Sequence, residues 1–228
     1  MGLLIMSIKL FFEAIIKIIF GILLVGLLIF LSAGTLNYFN GWLLCGILFI
    51  PMLIVGIVLM IKSPELLKRR LSAKEKIGEQ KIVILLSLLM FTCGFVLAGL
   101  DFRFGWIKLP NFVSIIGCVL FIIAYLLYAE VLRENVYLSR TIEVSENQKV
   151  IDTGLYSIVR HPMYMATIIL FLSMPLVLGS IISFIVFLIY PFIIIKRLKN
   201  EEEFLEKELK GYKEYKEKVK YRLIPFIW

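Results

Sequence analysis

The 228-residue chain has one histidine, His161, and three cysteines, and its longest runs carry almost no charge. Each scarcity excludes something. Cys45, Cys93 and Cys118 sit singly inside apolar runs, so they form no disulfide framework and read as small core residues. With one histidine and no cysteine pair, no zinc or other metal site is expected. Charged residues make up 18% of the chain against 61% hydrophobic, and mean hydropathy is +0.94. Runs of about 17–22 residues with few charges match the roughly 20 that cross a hydrocarbon core. A soluble fold is excluded. The fold expected is all-α and polytopic, with about four spans, a C-terminal helical hairpin and an interfacial C-terminal helix.

Net charge is +8, and its placement says more than its size. Of the 25 Lys and Arg, seven fall in 62–81 and ten in 196–222, while 33–41 and 177–181 have none. By the positive-inside rule the basic segments face the cytoplasm, which puts both termini there in a multi-pass cell-membrane protein. A nucleic-acid patch is the rival reading of the basic balance. It lacks the interleaved aromatics and the soluble fold, so no nucleic-acid partner is expected.

The spans read as 11–32, 41–61, 82–100 and 111–131. The first follows Lys9 and Lys17 and is taken as a retained span rather than a cleaved leader. Segment 62–81, with Pro64 at a favourable first helical position, reads as a short interfacial helix whose basic residues meet anionic lipid. Asp101 to Trp106 is expected to be an outer loop with belt aromatics. Residues 132–160 are polar, with turns at Asn147, Asp152 and Gly154. The chain divides into a span region, 1–131, and a cofactor-binding catalytic region, 132–228.

The last two apolar runs, 163–178 and 181–195, flank Gly179-Ser180, a tight-turn signal. Pro162 to Gly179 and Ser180 to Arg197 are equal in length, roughly 25 Å each at helical rise. A hairpin with equal arms brings Arg160-His161 and Arg197-Glu201 to one depth on one face. Pro175 and Pro191 should kink the arms and free backbone carbonyls. From Arg197 on the chain turns amphipathic, with Leu205, Leu209, Tyr212, Tyr215 and Val219 on one rhythm.

The residues alone leave two readings open. Pro162 fits a helix start, which leaves Arg160 and His161 at its mouth. That is a place for a polar or anionic ligand, or a loop that touches lipid headgroups. Arg197 and Glu201 can serve a ligand or form an ordinary i,i+4 pair, and Glu201-Glu202-Glu203 can simply be solvated.

Gly154, Tyr156, Arg160, His161, Pro162 and Tyr164 fit a Gly-x-Tyr-x-x-x-Arg-His-Pro-x-Tyr pattern. Arg197, Glu201 and Glu202 follow, then Tyr212, Tyr215 and Pro225. With the intervening hairpin, this C-terminal half resembles the membrane methyltransferases typified by isoprenylcysteine carboxyl methyltransferase, prokaryotic members above all, which are related to phospholipid N-methyltransferases. The resemblance covers roughly 140 residues and departs from the pattern in two places. Ala166 stands where the family has glycine, and the spacing from the glutamates to Tyr212 is one residue short, which leaves the acting glutamate open among 201–203.

The resemblance implies S-adenosylmethionine as cofactor, bound at the cytoplasmic face. Gln148, Val150, Ile151, Tyr156, Arg160, His161, Pro162, Met163, Tyr164, Glu201 and Glu202 would form its site. Arg197 and Glu201 would be the catalytic pair, with Arg197 holding a carboxylate acceptor. The acceptor would be lipophilic and would enter sideways from membrane lipid. Three rivals remain. One is a phospholipid N-methyltransferase and one a lipid-binding protein without turnover. The third is a sterol-reductase type, for which the chain is short and the C-terminal motif fits less well.

Overall fold

The computed structural model describes residues 2–72 and 78–228, so the Lys74-Glu-Lys part of the basic segment lies outside the described residues. Everything described is helix, turn or irregular chain. The first helices are α1 (Gly2–Ala33), α2 (Phe39–Lys62), α3 (Pro64–Leu71), α4 (Gly78–Phe104) and α5 (Asn111–Glu134). After the irregular segment come α6 (Pro162–Leu178), α7 (Ile181–Phe187), α8 (Tyr190–Glu208) and α9 (Tyr212–Lys218). Among the described residues, five stretches are long and apolar enough to cross a bilayer: Lys9–Ala33, Phe39–Lys62, Gln80–Phe104, Asn111–Glu134 and Ile181–Glu208, with the shorter apolar α6 beside them. The protein is a polytopic, all-helical membrane protein.

Its exterior matches that medium. Leu31 is 77% exposed and Phe20 66%, an orientation that water would penalise and lipid does not. Inside, helices meet through small residues and aromatics. A Cβ on Gly117 of α5 would lie 2.6 Å from the Val177 nitrogen of α6, so those two helices touch nearly backbone to backbone. Phe187, fully buried, packs against Phe91 and Phe95. Polar groups in the apolar layer bond to backbone carbonyls: Tyr38 Oη to Leu178 O at 2.6 Å, Ser183 Oγ to Gly94 O at 2.8 Å.

The hairpin closes as its turn residues require. Gly179 takes φ +73°, its N–H bonds Leu176 O, and Ser180 N–H bonds Pro175 O, the paired bonds of a Schellman ending. Pro175 therefore lies in the last turn of α6, just before the Gly179 cap. Pro191 does more than kink. Lacking an N–H, it cannot bond back to Phe187, and the second arm splits there into α7 and α8.

Three expectations shift. Span three continues past residue 100 to Phe104, because Asp101 Oδ1 accepts from Ile107 N at 3.0 Å and Oδ2 from Ser180 Oγ at 2.6 Å, anchoring the helix end to the hairpin turn. Asp101 is buried rather than looped out. At the other end of the chain, helix continues unbroken through Arg197 to Glu208. The amphipathic rhythm then breaks at Gly211, where φ is +87°, and resumes as the short α9. Leu209, Tyr212, Tyr215 and Val219 form a buried cluster with Val144 and Val150.

Candidate functional site

Pro162 starts α6 and His161 caps it, so Arg160 and His161 sit at the base of the first arm. Glu202, on the second arm, meets them. Arg160 Nε lies 2.7 Å from Glu202 Oε1, His161 Nε2 3.2 Å from the same oxygen, and Arg222 Nε 3.0 Å from Oε2. An ionised carboxylate only accepts, so His161 Nε2 carries a proton. Arg160 also donates to Val219 O at 2.7 Å and Lys220 O at 3.0 Å, and the Arg160 and His161 amides bond Tyr221 O and Arg222 O. This hub ties the last residues of the chain beneath the hairpin. Three cationic or donor groups around one buried carboxylate satisfy each other, as burial demands.

Glu201 points elsewhere. It lines a cleft of about 780 Å³, open solvent included, roofed by the irregular segment 135–151 and floored by α8 and α9. The Tyr164 hydroxyl accepts from Arg197 Nε at 2.9 Å and donates to Glu201 Oε2, so one phenol joins Arg197 to the carboxylate. Tyr212 lines this cleft and is 4% exposed, and its buried hydroxyl has no hydrogen-bond partner. Burial raises the Tyr212 hydroxyl pKa, and the charges of Glu202 and Glu201 raise it further, so it stays a neutral donor.

Gln148, Val150, Ile151, Tyr156, Arg160, His161, Met163, Tyr164 and Glu201 all line the cleft. Pro162, Glu202 and Arg197 do not. Pro162 shapes the helix start, Glu202 is held in the hub, and Arg197 lines a neighbouring cleft. Tyr156 is anchored twice: its hydroxyl accepts from Asn135 Nδ2 at 2.9 Å and its carbonyl from Tyr215 Oη at 2.7 Å. Gly154, at φ +50°, lies against Glu134, whose Oε1 would be 1.6 Å from any Cβ there. Glu134 accepts from Leu155 N at 3.0 Å and so fixes the turn that presents Tyr156.

The roof comes from residues that periodicity does not reveal, chiefly Tyr137, Leu138, Thr141 and Ile142. Helix α3 holds it down: Arg69 Nη1 bonds Ser145 Oγ at 2.5 Å, and Arg70 Nη1 bonds Ser139 O at 2.9 Å. The second cleft lies between α4, α6 and α8 and holds about 510 Å³. Arg70, Arg140 and Arg197 line it at one end, and Ile84, Leu88, Phe91 and Phe171 along its length. Thr141, Met163 and Tyr164 line both clefts. The wall between a polar cleft and a lipid-side cleft is thus three residues wide.

These features define a helical membrane protein with a two-cleft site at its basic face. Residues 112–211 match the phospholipid methyltransferase family, a stretch that holds α5, the roof, the hairpin and most of the cleft-lining side chains. A stretch of 91 residues is 28% identical to a Delta(14)-sterol reductase of Mus musculus, covering 39% of this chain and 22% of that protein. The chain thus spans about a fifth of the length of this curated relative.

Proposed function

We propose that the protein is a membrane methyltransferase that binds S-adenosylmethionine in the polar cleft and takes a lipophilic acceptor through the neighbouring one. The carrying observation is the shared wall of Thr141, Met163 and Tyr164, with a carboxylate and an orphaned hydroxyl on one side and an apolar groove on the other. The match of residues 112–211 to phospholipid methyltransferases supports the same reading. The cofactor supplies an activated methyl group on a sulfonium and leaves as a neutral thioether.

The residues present suit such a group. Glu201 offers negative charge to ribose hydroxyls or a cationic centre, and Tyr212 offers an unused donor. Val150, Leu205 and Leu209 offer an apolar bed. What the protein adds is alignment across the Tyr164 wall and exclusion of water. Residues 132–228 act as the catalytic region and residues 1–131 as its membrane scaffold, with the site at the cytoplasmic face. In the isoprenylcysteine-like reading, Arg197 orients an acceptor carboxylate by a charge-assisted bond and no general base is needed. In the phospholipid reading, the family match favours an amine acceptor, and Glu201 or His161 takes its proton.

Calorimetric titration of S-adenosylhomocysteine into detergent-purified protein tests the core of this. Micromolar binding is expected, weakened in Glu201→Ala. Failure of folded protein to bind it, with binding of a reduced nicotinamide nucleotide instead, would move the sterol-reductase similarity to first place.

A further inference from the structure

Residues 223–228 are apolar throughout, yet they belong to no helix and line neither cleft. They are not a loose tail. Trp228 O accepts from Leu223 N at 2.9 Å and Ile224 N at 3.0 Å, and Trp228 N donates to Ile224 O at 3.1 Å, so the chain closes into a tight loop. Buried Leu223 and half-buried Trp228 pack on the main core of the bundle, and the Arg222 guanidinium lies over the Trp228 ring at 5.3 Å. That closure turns the other side chains outward. Phe226 is 84% exposed and Ile227 77%, with Ile224 exposed beside them. Phe226 holds φ +65°, a left-handed conformation that a bulky residue rarely takes. Water gives no reason to display three large apolar side chains together on a strained backbone.

The loop hangs where the apolar layer begins. Backbone bonds from the Arg160 and His161 amides to Tyr221 O and Arg222 O set it beside the first turn of α6, and Pro162 there opens an apolar helix. Its chemistry is graded as a bilayer surface is. Lys213, Lys218 and Lys220 are exposed on the stretch before it, Tyr221, Arg222 and Trp228 follow at half burial, and the tip is aliphatic and phenyl. Cations meet anionic headgroups, ring systems with a polar edge take the boundary, and apolar side chains pass below it. A second copy of the chain seated on this tip would set the same lysines against one another, which like charge disfavours.

We propose that residues 223–228 form a membrane clasp, in which Phe226 and Ile227 enter the acyl layer at the basic face while the lysines hold anionic headgroups. The clasp fixes the end of the chain that completes the hub. Val219 O and Lys220 O accept from Arg160, and Arg222 bonds Glu202, so every hub contact from this end lies within a few residues of the tip. Nothing in it depends on a cofactor.

The test places a nitroxide at Ile227→Cys in the full chain, with Cys45, Cys93 and Cys118 changed to Ala, in vesicles of phosphatidylcholine and phosphatidylglycerol. Oxygen, which concentrates in lipid, should relax this label more than a water-soluble nickel chelate does. Leu27→Cys on the exposed apolar side of α1 should behave alike, and Lys213→Cys should show the reverse. A label at 227 relaxed chiefly by nickel puts the tip in water. One screened from both reagents, with dipolar broadening between labels, puts it against a second copy. Either result overturns the proposal. If the cysteine-free protein fails to fold, Trp42→Phe and Trp106→Phe leave Trp228 as the sole tryptophan with the native cysteines in place. Brominated phosphatidylcholine should then quench its fluorescence and aqueous acrylamide should not, and the opposite pattern overturns the proposal. Phe226→Ser with Ile227→Ser should lower the melting temperature in the same vesicles by about 4 °C or more. Unchanged melting overturns the clasp, because the hub then stands without its lipid anchor.

Discussion

Glu201 and Glu202 are neighbours in the chain with opposite duties, and the helix explains why. Consecutive residues on a helix point about 100° apart, so one carboxylate turns into the cleft and the other into the hub. Glu202→Ala would leave Arg160 and Arg222 facing a void and is expected to cost about 3–5 kcal/mol, seen as a lower melting temperature in detergent. Glu201→Gln should leave melting unchanged while weakening S-adenosylhomocysteine roughly tenfold to a hundredfold. Equal melting losses in both would refute this division. Tyr212 makes a sharper case. Its hydroxyl is buried and unpartnered, so Tyr212→Phe should hold or raise the melting temperature of the cofactor-free protein and lower its cofactor affinity. Burial also raises the hydroxyl pKa values of Tyr156 and Tyr215. A phenol whose pKa is raised on folding stabilises the fold fully below its unfolded value. Stability should therefore hold up to about pH 10 and fall as pH rises beyond it. The three Tyr→Phe variants at 156, 212 and 215 together should flatten that alkaline decline in a melting series.

At the scale of elements, charge-free windows locate spans because a hydrocarbon layer admits little else. Equal arm lengths placed Arg160 beside the Arg197–Glu203 cluster, and the 2.7 Å contact from Arg160 to Glu202 bears that out. The break at Pro191 and the extension of α4 through Asp101 were harder to read. The proline marks where the arm loses a backbone bond but not that the helix splits in two there, and the α4 extension depends on a tertiary partner, Ser180. The roof was least legible of all. Residues 135–151 carry neither a 3.6 nor a 2.0 period, because their conformation is set by arginines donated from α3 far earlier in the chain. That dependence gives α3 a role beyond touching headgroups. Arg69→Ala removes the bond to Ser145 and a ring contact with Tyr137, so it should loosen the roof without unfolding the bundle. Limited proteolysis should then cut within 135–151 faster than in the parent protein, and bound S-adenosylhomocysteine should slow that cutting.

For the molecule as a whole, polarity decides where the chemistry takes place. The topology we predict has six passes, one for each of the five long apolar stretches and one for α6, which would put both ends of the described chain on one side. That side holds the two clefts, the hub and the basic segments around 62–72 and 196–222. The opposite side holds the hairpin turn and the Asp101 anchor, where lysine and arginine are few. An excess of positive charge is retained on the cytoplasmic side during insertion, and a cofactor made in the cytosol needs access from there. Both predict that the side with the clefts faces the cytoplasm. A fluorescent protein fused after Trp228 should therefore fluoresce, because it folds only in the cytoplasm. Alkaline phosphatase inserted between Gly34 and Asn37, or between Gly105 and Lys108, should be active, because it folds only outside. The reverse pattern would place the polar cleft away from the cytosol. A cytosolic methyl donor could not then reach Glu201, and the methyltransferase reading would fall.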